Sequence, residues 1–112
     1  NELSTAAKYN VPIVEIIMNN EVLGMVRQWQ KLFYGKRYSN TTMEKPTDYQ
    51  KLAEAFGVKG YTIKTRAELE PVLKEALSQD GPVLDNCLID KDMNVLPMVP
   101  AGKSAEEPLL EM

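Results

Sequence analysis

The sequence predicts an α/β fold, a partial open parallel sheet with flanking helices, and three features predict it. Strand and helix signals follow one another as strand, helix, helix, strand, helix, strand, the rhythm of right-handed crossover units. The first strand is a nearly unbroken apolar run rich in β-branched residues, which suits a strand covered on both faces. Turn and capping residues stand where these elements must stop.

In order along the chain, Leu3, Ala6 and Ala7 fall at i, i+3, i+4 and predict a short amphipathic helix over residues 1–9, closed by Asn10. A chain that starts inside a helical pattern, with no cap ahead of it, is expected to be part of something longer. Residues 11–18 form the first strand, with Pro12 tolerated only at its start; Asn19 and Asn20 end it. A helix follows around residues 25–32, then a polar loop over residues 34–46. Thr47 opens the next helix with Gln50 as capping-box partner; Tyr49, Leu52, Ala53 and Phe56 share a face, and Gly57 supplies a left-handed stop. Residues 61–63 read as a short strand. Thr65 and Glu68 form a second capping box ahead of the stripe Leu69, Val72, Leu73, Ala76 and Leu77. Pro71 within that stripe predicts an irregular first turn, with regular helix from about Pro71. Asp80-Gly81 is a turn and residues 82–89 are the third strand, in which Asp85 and Asn86 imply a polar face or an edge position. Residues 1–90 therefore form the domain and residues 91–112 an extended tail.

Composition narrows the chemistry. With 112 residues, 44% hydrophobic and 26% charged, the chain holds one domain of ordinary globular balance. A formal charge of −3 offers no attraction to nucleic acid or an anionic membrane, and no apolar run approaches the roughly 20 residues that cross a bilayer. The sole cysteine, Cys87, suits a reducing, cytoplasmic setting. No histidine is present, so a Ser-His-Asp triad or a histidine-ligated zinc site cannot be built from this chain alone. A metal would take oxygen ligands, which points to magnesium or calcium. Ligands of an open parallel sheet gather at the carboxyl ends of its strands. The loop there is Asn19-Asn20-Glu21-Val22-Leu23-Gly24, which offers a carboxamide oxygen, a backbone carbonyl two residues on, and a glycine that lets the backbone approach a bound group.

That loop continues as Gly24-Met25-Val26-Arg27-Gln28-Trp29-Gln30 and Lys31-Leu32-Phe33-Tyr34. Together they resemble the second half of the thiamine-diphosphate motif of acetohydroxyacid (acetolactate) synthase catalytic subunits. Asn1-Glu2-Leu3-Ser4-Thr5-Ala6 is similar to the helix after that motif's Gly-Asp-Gly turn, which would lie just upstream. Asp48-Tyr49, Leu52-Ala53 and Phe56-Gly57 resemble the family's next helix; Gly81-Pro82-Val83-Leu84 and Val95-Leu96-Pro97-Met98-Val99-Pro100 resemble its closing strand and tail. Asp85-Asn86 departs from a more apolar pattern.

The resemblance implies half of a thiamine-diphosphate-binding fold. Asn20, through its side-chain oxygen, and Val22, through its carbonyl, would ligate magnesium (Mg2+), the third protein ligand being an upstream aspartate. Asn20, Val22, Gly24 and Met25 would contact the cofactor, and Met25 and Trp29 the substrate; no catalytic residue is expected in this chain. The implied reaction decarboxylates pyruvate and joins the remainder to a second 2-ketoacid, giving acetolactate or acetohydroxybutyrate. FAD would bind outside this chain. Implied partners are the remainder of the catalytic subunit, a second copy in a homodimer and a regulatory subunit, so the chain alone should be inactive and leave strand faces around residues 13–17 uncovered. Without the resemblance, Met25 and Trp29 read as core, Arg27 and Lys31 as a solvated face, and Cys87 as a buried small apolar residue. Rival readings are another thiamine-diphosphate decarboxylase or carboligase, against which Gln28-Trp29 argues, and a stand-alone non-catalytic α/β interaction module.

Overall fold

The first helix ends where the chain can turn left-handed. In the computed structural model, which describes residues 1–111, α1 (Glu2–Tyr9) is closed by Asn10 at φ 51°, whose N–H returns to the carbonyls of Ala6 and Ala7. There follow β1 (Val14–Asn19), α2 (Gly24–Phe33), α3 (Tyr49–Ala55), β2 (Lys59–Ile63), α4 (Arg66–Leu77) and β3 (Val83–Leu88). Among the described residues the three strands are all parallel, in the order β1-β3-β2.

The third strand is therefore central. Asp85 and Asn86 suggested an edge or a polar face, yet Val83 through Cys87 are buried, Asp85 completely. An edge position is ruled out because β3 pairs with Val14–Asn19 on one side and Lys59–Ile63 on the other. Asn86 is satisfied, accepting from Asn19 Nδ2 at 3.0 Å. Neither Asp85 oxygen has a hydrogen-bond partner.

One face of the sheet carries Leu84 and Ile17, which pack with Ala53, Val58, Leu3, Ala7, Tyr49 and Phe56 into the core. Helix α3 lies close because Gly60 has no side chain; a Cβ there would stand 2.9 Å from the Gln50 carbonyl and 3.0 Å from the Ala53 Cβ. On the other face α4 runs over β2, tied by Lys59 Nζ and Tyr61 Oη to Glu75 Oε1 at 3.0 and 3.3 Å. Strand β1 begins three residues later than residue 11 and is covered on neither side as fully as its apolar run implied: Ile16 is 47% and Met18 64% exposed. The uncovered strand expected around residues 13–17 is thus present.

Local signals explain the helix boundaries. Asp48, not Thr47, caps α3, its carboxylate accepting from the Lys51 N–H at 3.1 Å; Gln50 instead accepts from Thr62 Oγ1. Gly57 follows that helix at φ 74°, as its position suggested. Helix α4 starts at Arg66, ahead of Pro71, because Glu68 Oε2 accepts the N–H groups of Lys64 and Thr65 at 2.8 and 2.9 Å and fixes the first turn. Those bonds hold the Glu68 carboxyl below its ordinary range. Leu52 and Leu77, read as core-facing, remain exposed.

The radius of gyration is 17.8 Å, against roughly 13 Å for a compact chain of about 100 residues. The excess reflects α2, which makes no extensive contact with the sheet, and the tail that lies against it. Within the tail Met98 and Leu109 exchange backbone hydrogen bonds of 3.0 and 2.7 Å.

Burial pushes the Asp85 carboxyl above the ordinary carboxylate range. The unfolded chain then loses its proton first, so stability should fall as pH rises from the ordinary carboxylate range through the folded pKa. Asp85→Asn keeps the shape and removes the charge. At pH 7 it should be more stable than wild type, because the neutral amide avoids burying a charge in the same shape, with the difference shrinking toward about pH 3. Urea melts across that range measure it, and an equal difference at every pH would contradict the assignment.

Candidate functional site

The site begins where β1 stops. Asn19 is its last residue and spends its side chain on structure: Nδ2 donates to Asn86, and Oδ1 accepts from the Glu21 N–H at 3.0 Å. Glu21 turns the chain at φ 55°, a conformation uncommon for a residue with a Cβ. Asn20 sits just beyond the carboxyl end of β1, and its Oδ1 accepts from the Val22 N–H at 3.2 Å, a two-residue side-chain turn. Val22 buries its side chain and faces Thr42 in an isolated antiparallel bridge, made by Leu23 N–H to Thr41 C=O at 2.8 Å and Met43 N–H to Glu21 C=O at 2.9 Å. Among the described residues no backbone N–H outside regular elements donates to the Val22 carbonyl.

Gly24 opens α2 directly beneath Asn20: a Cβ built there would stand 2.6 Å from Asn20 Nδ2. Asn20, Val22 and Gly24 are therefore brought together as the sequence implied. The oxygens they offer, one carboxamide and one carbonyl, suit a hard cation. Among the described residues no group of three or more Cys, Asp or Glu is placed to hold one.

Met25 and Trp29 follow one turn apart on α2. They line an open depression of about 620 Å³ with Val26, Gln30, Tyr34 and Arg37. Met25 is 52% exposed, and Trp29 packs edge-on against Phe33 with ring centroids 5.1 Å apart. Such a wall is large, rigid and apolar, with one N–H donor. Asn20 and Val22 line a separate hollow of about 270 Å³ with Ile17, Met43, Lys45 and Tyr49. The five residues thus form two groups joined through Gly24.

Three features were not read from the sequence. Arg27 is not on a solvated face: its guanidinium lies 3.9 Å from the Tyr38 ring centroid and donates to Asp92 at 2.9 Å. That bond lowers the Asp92 pKa and raises that of Arg27. Gln28 is the buried residue of α2. Gln30 organises the returning loop, its Oε1 accepting from Ser39 N–H and Thr41 Oγ1 and its Nε2 donating to the Ser39 carbonyl. The signal for the last was the polar alternation of Ser39 and Thr41, read only as loop. Cys87 is buried, and burial together with nearby Asp85 pushes its thiol pKa up, as befits an inert residue.

Residues 1–87 match the family described as thiamine pyrophosphate enzyme, C-terminal TPP binding domain. The chain is 50% identical over 104 residues to the acetolactate synthase large subunit of Porphyra purpurea, covering 92% of this chain and 18% of that protein. Identity is 49% over 106 residues to the mitochondrial acetolactate synthase catalytic subunit of Saccharomyces cerevisiae, covering 95% and 15%. It is 43% over 108 residues to the acetolactate synthase isozyme 2 large subunit of Escherichia coli K12, covering 96% and 20%. The chain spans a fifth or less of the length of these curated relatives. Among solved structures it is similar to the thiamine diphosphate-dependent 4-hydroxybenzoylformate decarboxylase of Rhodococcus jostii RHA1, with TM-score 0.69 and 31% identity over 79% of this chain and 16% of that one.

The contact beneath Asn20 yields a test. Gly24→Ala should displace the Asn20 carboxamide and break its bond to the Val22 N–H. Loss of one hydrogen bond should speed Val22 amide exchange by roughly three- to tenfold. Unchanged exchange in a folded variant would mean that Asn20 does not depend on the glycine.

Proposed function

This chain belongs to the thiamine pyrophosphate enzyme family, as its C-terminal cofactor-binding domain, and on that premise we propose that it is part of a magnesium-dependent carboligase that decarboxylates pyruvate and condenses it with a second 2-ketoacid. The product is acetolactate or acetohydroxybutyrate, precursors in branched-chain amino-acid biosynthesis. Relatives 43–50% identical over most of the chain carry the name acetolactate synthase, which supports the choice of reaction.

The observation that carries the cofactor assignment is the turn at the tip of β1, in which the Asn20 carboxamide accepts from the Val22 N–H and Gly24 lies directly beneath it. Asn20 Oδ1 has a second lone pair beyond the one that Val22 N–H uses, and the Val22 carbonyl is free of the loop's backbone bonds. Magnesium takes few protein oxygens and completes its shell with phosphate and water, so this donor set fits it when the diphosphate is bound. When bound, thiamine diphosphate supplies the electron sink for decarboxylation. Gly24 keeps the backbone low beneath Asn20, Met25 faces the cofactor, and the Trp29 indole walls the pocket that selects the second 2-ketoacid.

The proposal extends to a homodimer of the whole catalytic subunit with FAD held outside this chain, to a regulatory subunit, and to a cytoplasmic setting in which Cys87 stays a thiol. The exposed Ile16 and Met18 of edge strand β1 support a covering segment from the rest of that subunit. A second reading, a thiamine-diphosphate decarboxylase without ligation, is favoured by the likeness to the 4-hydroxybenzoylformate decarboxylase.

A chimera discriminates them. This chain should replace the matching segment of the E. coli isozyme 2 large subunit, to which it is 43% identical, and restore acetolactate formation from pyruvate. Asn20→Ala in that chimera should weaken metal-dependent cofactor binding at least about tenfold, as loss of a ligand or its supporting partner does. A folded chimera that binds cofactor but releases only acetaldehyde would overturn the carboligase reading.

A further inference from the structure

Helix α2 is built the wrong way round for a helix that packs by its apolar stripe. Met25 at 52%, Val26 at 48% and Phe33 at 43% are exposed, whereas Gln28 is 3% exposed. What buries Gln28 is the tail. Its Oε1 accepts from the Val95 N–H at 2.7 Å, and its Nε2 donates to the Val95 carbonyl at 3.0 Å and to the Met98 sulfur at 3.2 Å. The amide thus meets Val95 as one strand residue meets another, both polar groups of one backbone unit answered by one side chain. One residue earlier, Arg27 reaches Asp92 across the same junction. Since α2 has no extensive contact with the sheet, its pitch is set by the Asn20–Gly24 turn, by the Gln30 bonds to Ser39 and Thr41 of the returning loop and, on the tail side, by this polar clamp.

We infer that Gln28 is a positioning residue, which fixes the angle of α2 through the tail and thereby holds the Trp29 wall in the pocket. The tail lines none of the depression around Trp29; it acts through the helix. An apolar contact would let α2 roll on the tail, whereas three directional bonds from one amide admit a single register. Each bond removed should shift the docked-to-detached ratio of the tail by roughly three- to tenfold.

Trp29 is the sole tryptophan of the chain, so its fluorescence reads the wall directly. Gln28→Ala removes the clamp from the helix side, and Val95→Pro removes the Val95 N–H from the tail side without altering α2. Leu73→Ala in α4 serves as a control that lowers stability elsewhere. Far below their melting temperatures, the first two should give a red-shifted Trp29 emission and at least about twofold greater acrylamide quenching, as a locally opened segment does, with the control matching wild type. Should either clamp variant fail to fold, Asp92→Ala, which breaks only the partly exposed Arg27 pair, should give a smaller shift of the same sign. Clamp variants that melt earlier while Trp29 emission and quenching stay at wild-type values would reduce the tail to a brace and overturn the inference. A second readout rests on the carboligase reading: in the chimera, Gln28→Ala should raise KM for the second 2-ketoacid and leave pyruvate decarboxylation unchanged. Failure of the chimera would count against that reading alone, because the fluorescence measurement needs no substrate.

Discussion

The register of β1 against β3 is the constraint on which the site depends. Asn19 stands opposite Leu88 and Ile17 opposite Asn86, which brings Asn19 Nδ2 within reach of Asn86 Oδ1. A slip of one residue would turn every β1 side chain to the other face. Asn19 would lose Asn86, and Ile17 would leave the core it shares with Leu84 and Ala53. The turn that follows inherits this register: Asn20, Glu21 and Val22 lie where they do because Asn19 is held, and because the Glu21 carbonyl and the Leu23 N–H are claimed by the returning loop at Met43 and Thr41.

The centre of the sheet tolerates an arrangement that works against stability. Asp85 lies between Ile16 and Tyr61 with both oxygens unmatched, while its neighbour Asn86 bonds productively to Asn19. The two polar residues of β3 point to opposite faces, as alternation along a strand requires. Only the one on the face of the turn at the strand's end is put to use there. The other burdens the layer under α4, where Ala76 and Ile63 are buried.

Much of this was legible in the sequence, for definable reasons. Chain reversals were, because Asn10, Gly57 and the Thr65–Glu68 pair each have one geometric consequence. So was the grouping of Asn20, Val22 and Gly24, since a strand end followed by a short turn leaves few arrangements. The rank of strands in the sheet was not. Continuous apolarity pointed to β1 as a covered strand, yet among the described residues β1 pairs on one side only and the interrupted β3 on both, because which strands pair is decided by chain connections that composition does not record. Asp48 displaced Thr47 as the cap because both are good acceptors one residue apart. Arg27 and Gln28 could not be read, since their partners, Asp92 and Val95, lie 65 and 67 residues away in sequence.

Those long-range pairs divide the molecule by function. The Asn20 and Val22 oxygens hang from the sheet, whose strands are joined by backbone hydrogen bonds, while the apolar wall of Met25 and Trp29 hangs from a helix held by side-chain bonds to the tail and, through Gln30, to the returning loop. Polar anchoring of this kind is weaker per contact than a packed core, and therefore adjustable. The tail reaches the wall through α2 alone, whereas the oxygens at the end of β1 are joined to α2 both by the backbone at Gly24 and through the returning loop, where Thr41 meets Gln30 and Leu23. A glycine at that joint suits both sides: it leaves room for the Asn20 amide above it and begins the helix that carries the wall.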